Sequence, residues 1–157
     1  MDLKKENDLL EQALSAAEGG YEKAYRFLLD AYRNAPGAFG PQTLYFLACL
    51  AGGAGMPDEA LGWLKTSILN NGWWYRPEVL IDDDLAALEE NPEFLALRAS
   101  SDARYEKAVS QTKAALSWQK KTVSKLLLAV HGNTQNAQTA REDWTAVLNG
   151  DASWQLE

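Results

Sequence analysis

The sequence predicts a mainly α-helical protein that ends in a short α/β segment, and three observations lead to this prediction. In the first half a helical spacing recurs, because Ala24 and Leu28 return 36 residues later as Ala60 and Leu64. Near the C-terminus, residues 125–130 form a continuous apolar run that is typical of a strand buried on both faces. The length of 157 residues allows one full domain but not a repeat domain plus a complete α/β enzyme of about 250 residues. We therefore predict a helical domain over 1–115 and an incomplete α/β segment over 116–157.

Composition and charge exclude several classes of protein. The formal net charge of −7 argues against a nucleic-acid partner, because Lys120 and Lys121 are too few to neutralise a phosphate backbone. One cysteine, Cys49, excludes an internal disulfide and a Cys-rich zinc site, and its apolar flanks indicate a small buried side chain. The charged N-terminus predicts neither a secretory signal nor a membrane anchor, so we expect a cytoplasmic protein.

Four helices are predicted in the first half, near 2–18, 21–34, 41–52 and 57–70. Pro57 suits the first turn of the last of these, because its missing N–H costs nothing there, and Asp58 and Glu59 meet the positive end of the helix dipole. Gly72 is expected to end that helix in a left-handed conformation.

The paired helices share a pattern of small and large side chains. Ala24, Leu28, Ala31 and Pro36 are matched by Ala60, Leu64, Ser67 and Gly72, and Leu44, Leu47, Ala48 and Ala51 form one face of the preceding helix. This pattern resembles the tetratricopeptide repeat (TPR). The match is good over 40–72 and weaker over 2–36. The resemblance implies TPR-like helical hairpins that bind a protein or peptide partner.

Residues 73–115 are expected to close the helical domain. Trp73, Trp74 and Tyr75 suit packing at a junction, although a carbohydrate or peptide platform is the alternative. Residues 82–84 are three aspartates, which suit a helix N-terminus better than a calcium site, because calcium needs more oxygen ligands at loop spacing. Two short helices are predicted in 73–98, opened by a capping Asp or Asn. A longer helix over about 100–115 follows.

The last forty residues follow an extended pattern. Strands are predicted at 116–120, 125–130 and 152–156, with one helix that begins at the capping box Thr139–Glu142 and ends at Gly150. A polar loop that begins at His131 and Gly132 connects the second strand to the helix.

This order of strand, His-Gly loop, helix and strand resembles the start of an α/β-hydrolase domain. The family uses that loop to point a backbone N–H at the negative charge of a tetrahedral intermediate. The resemblance implies that His131 and Gly132 open an oxyanion-hole loop and that Asn133 or Thr134 supplies the N–H. An ordinary strand-to-helix turn is the alternative interpretation.

The sequence lacks the other parts of a serine hydrolase. It has no Gly-x-Ser-x-Gly motif, and its single histidine already lies in the loop. We therefore assign no catalytic residue, expect neither a metal nor another cofactor, and expect this chain to be inactive. We predict that this chain is the N-terminal portion of a larger, truncated hydrolase. We expect its nucleophile beyond Glu157 and the missing hydrolase domain as a partner. The alternative is a stand-alone TPR-type interaction module.

Overall fold

The computed structural model describes residues 3–111, the segments 125–127 and 154–156, and Trp144. The chain divides into two compact units, Met1–Thr112 and Lys113–Glu157, which we call the helical unit and the C-terminal unit. The domain boundary predicted at 115–116 stays a prediction.

The described residues are mainly helical, which confirms the mainly α-helical part of the predicted class. The helical unit begins with α1 (Leu3–Ala17), α2 (Tyr21–Asn34), α3 (Pro41–Gly53) and α4 (Pro57–Lys65). Proline occupies the first turn of α3 and α4, where its fixed φ favours the helix and its missing N–H is no loss. The connections are short, and one of them is a 3₁₀ turn at Pro36–Ala38.

The end of α4 differs from the sequence prediction. The α-helix stops at Lys65 and continues as a π-helical turn over Thr66–Asn70. The Thr66 hydroxyl donates to the carbonyl of Gly62 at 2.9 Å, a bond that bends helices by competing for the carbonyl of the preceding turn. Gly72 then adopts φ 70°, so the predicted left-handed residue after the helix is confirmed.

The closing segment of the helical unit contains two 3₁₀ helices, Pro77–Leu80 and Asp83–Leu88, followed by α5 (Pro92–Gln111). Asp82 and Asn91 accept backbone N–H groups at the starts of the last two elements, which confirms both as caps. A separate helix was predicted over about 100–115. Its predicted start was wrong, because α5 already begins at Pro92. Residues 93–111 contain neither glycine nor proline, so nothing interrupts α5.

The core of the helical unit lies where consecutive helices meet. α2 packs on α1 and α3, α4 packs on α3, and α5 packs on α4 and the turn that follows it. The recurring residues Ala24, Leu28, Ala60 and Leu64 are all fully buried. Small side chains at these positions let the helix backbones approach closely, and leucines fill the space between them.

Polar groups tie the aromatic segment to the core. The Tyr75 hydroxyl donates to the carbonyl of Pro41 at 2.7 Å and lies 2.5 Å from the hydroxyl of Ser67. The Ser101 hydroxyl accepts from the Tyr75 N–H at 2.8 Å. Tyr75 is therefore a buried packing residue, whereas Trp73 is half-buried and Trp74 is exposed.

In the C-terminal unit, β1 (Lys125–Leu127) pairs in parallel with β2 (Trp154–Leu156), with Leu126 opposite Gln155. Trp144 is helical and exposed. The strands lie inside the predicted ranges 125–130 and 152–156, and the predicted strand 116–120 lies outside the described residues. Across the described chain, every helix is too short or too polar to cross a membrane.

Candidate functional site

A cavity of about 190 Å³ opens beside α3, and three parts of the helical unit form its walls. The end of α1 and the start of α2 lie on one side, α3 forms the floor, and the residues that open Asp83–Leu88 form the other side. We call this the tyrosine–aspartate cavity. Its lining residues are Leu14, Ala17, Tyr21, Tyr45, Phe46, Cys49, Leu50, Asp82 and Asp84.

Local structure fixes the two carboxylates of this cavity. Asp82 precedes the 3₁₀ helix, and its Oδ1 accepts the backbone N–H of Asp84 at 2.9 Å. Its Oδ2 accepts the Tyr45 hydroxyl at 2.6 Å, which ties the loop to α3. The Tyr21 hydroxyl is hydrogen-bonded to Asp84. Each carboxylate oxygen has two lone pairs, so both carboxylates keep acceptor capacity.

Burial and neighbouring carboxylates determine the electrostatics of the cavity. Burial raises the pKa of Asp84 above its ordinary value, and the charges of Asp82 and Asp83 raise it further, against the opposing hydrogen bond from Tyr21. The hydrogen bond to Asp84 raises the pKa of Tyr21, and burial raises the pKa of Tyr45. Both tyrosines are therefore neutral hydrogen-bond donors at physiological pH.

Glycines at the end of α3 permit this close packing. A Cβ at Gly52 would lie 2.0 Å from the carbonyl oxygen of Asp84, closer than atoms approach without a backbone shift. A Cβ at Gly53 would lie 2.4 Å from the ring of Tyr21. These two positions set the distance from α3 to residues 82–84, which we call the acidic loop, and to the start of α2.

The structure brings together residues that the sequence analysis treated separately. The Cys49 Sγ and one oxygen each of Asp82 and Asp84 lie within 4.8 Å of one another. Metal ligation by cysteine requires the thiolate, and burial raises the pKa of Cys49 to about 12. The thiol is therefore protonated at physiological pH, so this donor set suits a transition metal poorly. Cys49 is buried, as predicted.

A second cavity of about 380 Å³ lies along α2 and reaches Met56. Its lining residues are Glu22, Tyr25, Arg26, Leu29, Asp30, Arg33 and Met56. Tyr25 is fixed there, because its hydroxyl donates to Glu59 at 3.1 Å and accepts from the Trp63 indole at 3.0 Å. The wall carries charges of both signs, with Arg26 and Glu22 paired at 2.6 Å on the surface.

The predicted oxyanion-hole residues His131, Gly132, Asn133 and Thr134 lie outside the described residues. Their role stays a prediction. The tyrosine–aspartate cavity was not predicted, since its walls come from three segments, each more than twenty residues from the next along the chain. The sequence signal for it was limited to the three aspartates and the Gly52-Gly53 pair.

Comparison with known proteins identifies the helical unit. A family model described as "A/B hydrolase-like, N-terminal domain" matches residues 5–109, which is most of the described helical unit. The chain belongs to this family. The helical unit is therefore a domain of a hydrolase-like family, whereas membership of the tetratricopeptide family is not supported. The two helix pairs also differ physically, because α2 is a continuous α-helix and the corresponding α4 ends in a π-turn.

One solved structure extends the comparison past the helical unit. This chain is similar to the crystal structure of an uncharacterized protein from Bacillus cereus ATCC 10987, with 30% sequence identity and a TM-score of 0.62. The similarity covers 96% of this chain and 49% of that protein, so the chain spans about half the length of that protein. No curated protein matches the sequence.

Proposed function

We propose that this chain is the non-catalytic, helical N-terminal portion of a larger cytoplasmic α/β-hydrolase. The parent activity would be serine-dependent hydrolysis of an ester or a related acyl bond. The match of residues 5–109 to an N-terminal domain of hydrolase-like proteins carries this proposal. The Bacillus cereus protein supports it, because half of that chain lies outside the similarity and offers room for a catalytic domain.

The C-terminal unit supports the same proposal. Parallel strands need a crossover connection, usually a helix. β1 and β2 pair in parallel, and Trp144 between them is helical. This is the strand, helix, strand order in which an α/β-hydrolase sheet is built. In the proposed parent the loop at His131 and Gly132 comes after β1 in the sequence, and a backbone N–H at Asn133 or Thr134 would stabilise the oxyanion.

The residues of this chain are insufficient for the reaction. A donor in the oxyanion loop stabilises charge only after a nucleophile has attacked the acyl carbon, and the nucleophile needs a base to accept its proton. The sequence contains no Gly-x-Ser-x-Gly turn, and its only histidine is His131. The catalytic serine and its base must therefore come from another part of the hydrolase, which is the partner we propose for the helical unit.

The reading frame and a turnover assay test this proposal together. We expect the coding DNA beyond Glu157 to encode a Gly-x-Ser-x-Gly motif, and the extended protein to hydrolyse p-nitrophenyl acetate. Serine-to-alanine substitution in that motif is the control and should abolish turnover, and the 157-residue chain should show none. A stop codon after Glu157 without such a motif, or turnover by the 157-residue chain, would refute the proposal.

A second candidate function is a stand-alone, TPR-like interaction module. The cavity along α2 favours it, because the apolar Leu29 lies in a concave surface beside charges of both signs, which suits a peptide that carries both acidic and basic side chains. This function predicts saturable binding of a partner that survives deletion of 116–157. Charge reversal at Arg26 and Arg33 should abolish that binding, and unchanged binding would count against it.

A further inference from the structure

The tyrosine–aspartate cavity combines aromatic walls with carboxylates. Tyr21, Tyr45 and Phe46 supply three aromatic side chains, and the Tyr45 and Phe46 rings meet edge-to-face with centroids 6.1 Å apart. Asp82 and Asp84 supply the only formal charges on the described lining. Aromatic faces and carboxylates both attract cations, since the face of a ring carries negative electrostatic potential.

The charges in this cavity lack a compensating cation among the lining residues. No lysine or arginine belongs to the described wall, and both aspartates are half-buried. Charges removed from water are costly unless an opposite charge accompanies them. The hydrogen bonds from Tyr45 and the Asp84 N–H hold the Asp82 carboxylate in place without neutralising it.

The size and shape of the cavity select the kind of cation. A volume of about 190 Å³ corresponds to roughly six water molecules at the volume of liquid water, which suits a short chain with a charged head. Leu14, Ala17 and Leu50 line the apolar part. An alkyl stem would contact these side chains while the head group lies between the carboxylates.

We propose that this cavity is a binding site for an organic cation, an alkylammonium or alkylguanidinium group held between Asp82 and Asp84 against the rings of Tyr21, Tyr45 and Phe46. The site is independent of the proposed hydrolase activity, because all its residues belong to the helical unit. The cation would come either from a free small molecule or from a lysine or arginine side chain of a polypeptide.

Titration of the full 157-residue chain with n-butylammonium and n-butylguanidinium, followed by NMR of the aromatic side chains, tests the site. We expect saturable shifts of the Tyr45 and Phe46 resonances with a Kd below roughly 10 mM. Butan-1-ol has a similar stem without the charge and should give no saturable shift. Capped lysine and arginine amides separate the two sources, because tighter binding of these amides assigns the site to a polypeptide side chain and tighter binding of the free cations assigns it to a small molecule.

Matched variants identify the residues that hold the cation. D84N should weaken binding about tenfold or more, while D83N removes the same charge from an exposed neighbour outside the lining and should weaken binding far less. Y21F keeps the ring and should still bind, whereas Y21L should bind more weakly. Circular dichroism confirms that each variant is folded.

Three results would overturn the inference. The first is the absence of saturable shifts in the folded wild-type chain. The second is an equal response to butan-1-ol, and the third is equal weakening by D83N and D84N.

Discussion

Gly52 lies at the point where α3 meets the backbone of the acidic loop. A Cβ at this position would lie 2.0 Å from the carbonyl oxygen of Asp84 and 3.1 Å from its carbonyl carbon. Both are backbone atoms of a different element, so rotation of a side chain cannot relieve the contact. The loop or the helix would have to move.

We therefore expect G52A to lower the free energy of unfolding by about 1–3 kcal/mol, the usual range for overpacking. Urea unfolding measures the change. The control is G62A in α4, where an added Cβ meets nothing within 4 Å, and alanine should stabilise the helix by about 0.5–1 kcal/mol. Equal effects of the two substitutions would contradict the close approach at Gly52.

Asp84 makes the stability of the helical unit depend on pH. Burial raises its folded-state pKa above the ordinary value of 3.8, so the folded chain binds more protons at this carboxyl than the unfolded chain does. The contribution of Asp84 to the free energy of unfolding therefore falls as the pH rises from below 3.8 through the folded pKa.

D84N removes this titration. The free energy of unfolding of D84N minus that of wild type should therefore increase with pH over the same window and stay constant above it. Urea unfolding of both proteins between about pH 3 and pH 7 covers the window. D83N, at an exposed side chain, is the comparison for the loss of one charge. A relative stability of D84N that decreases with rising pH would show that burial does not dominate at Asp84.

Residue-scale prediction succeeded where the cause is local. The capping role of Asp82 depends on a backbone N–H two residues away, and the burial of Cys49 follows from its apolar neighbours. The sequence did not show that both side chains line one cavity with Tyr21. That arrangement depends on packing between segments distant in sequence, which no local pattern encodes.

Among the helices, the start of α3 is capped by a residue of another helix. Glu6 of α1 is 5% exposed, and its Oε1 accepts the Gly40 N–H at 2.9 Å and the Thr43 hydroxyl at 2.6 Å. The residue that precedes α3 is Gly40, which has no side chain to cap the helix. Glu6 thus acts as a cap supplied across 34 residues and joins α1 to α3.

E6A should lower the free energy of unfolding by about 1–3 kcal/mol, because it leaves two buried donors without an acceptor. Thermal or urea unfolding measures this loss. E6Q retains one acceptor oxygen and should cost less, and E11A tests an exposed glutamate of the same helix and should change little. A loss in E11A as large as that in E6A would refute the capping role.

Helix bounds were predictable where caps and breakers mark them. α2 has the predicted bounds, α1 differs from its prediction by one residue at each end, and α3 differs by one residue at its C-terminal end. Gly19-Gly20, Pro41 and the glycines after Ala51 mark these ends. The chain is helical over the predicted range 57–70, but the change from α to π after Lys65 was not predicted, because no glycine or proline marks it. The side-chain bond from Thr66 and the tertiary contacts of Arg104 with the carbonyls of Ile68 and Trp73 contribute there.

In the whole molecule, different observations link the helical unit and the C-terminal unit to hydrolases. The helical unit belongs to a hydrolase-associated family through a match over residues 5–109. The C-terminal unit shows a parallel strand pair, which supports the proposal that a hydrolase sheet begins there. The hydrolase was predicted from the loop at His131. The helices were assigned to a repeat family, because small and large residues alternate similarly in many helical hairpins.

We propose that this member of a hydrolase-like family carries no catalytic nucleophile of its own. Intact-mass analysis of the 157-residue chain after incubation with a fluorophosphonate, which labels activated serines, tests this proposal. We predict no mass increase under conditions that fully label a serine esterase in the same tube. A stoichiometric adduct on one serine of this chain, lost when that serine is replaced by alanine, would refute the proposal.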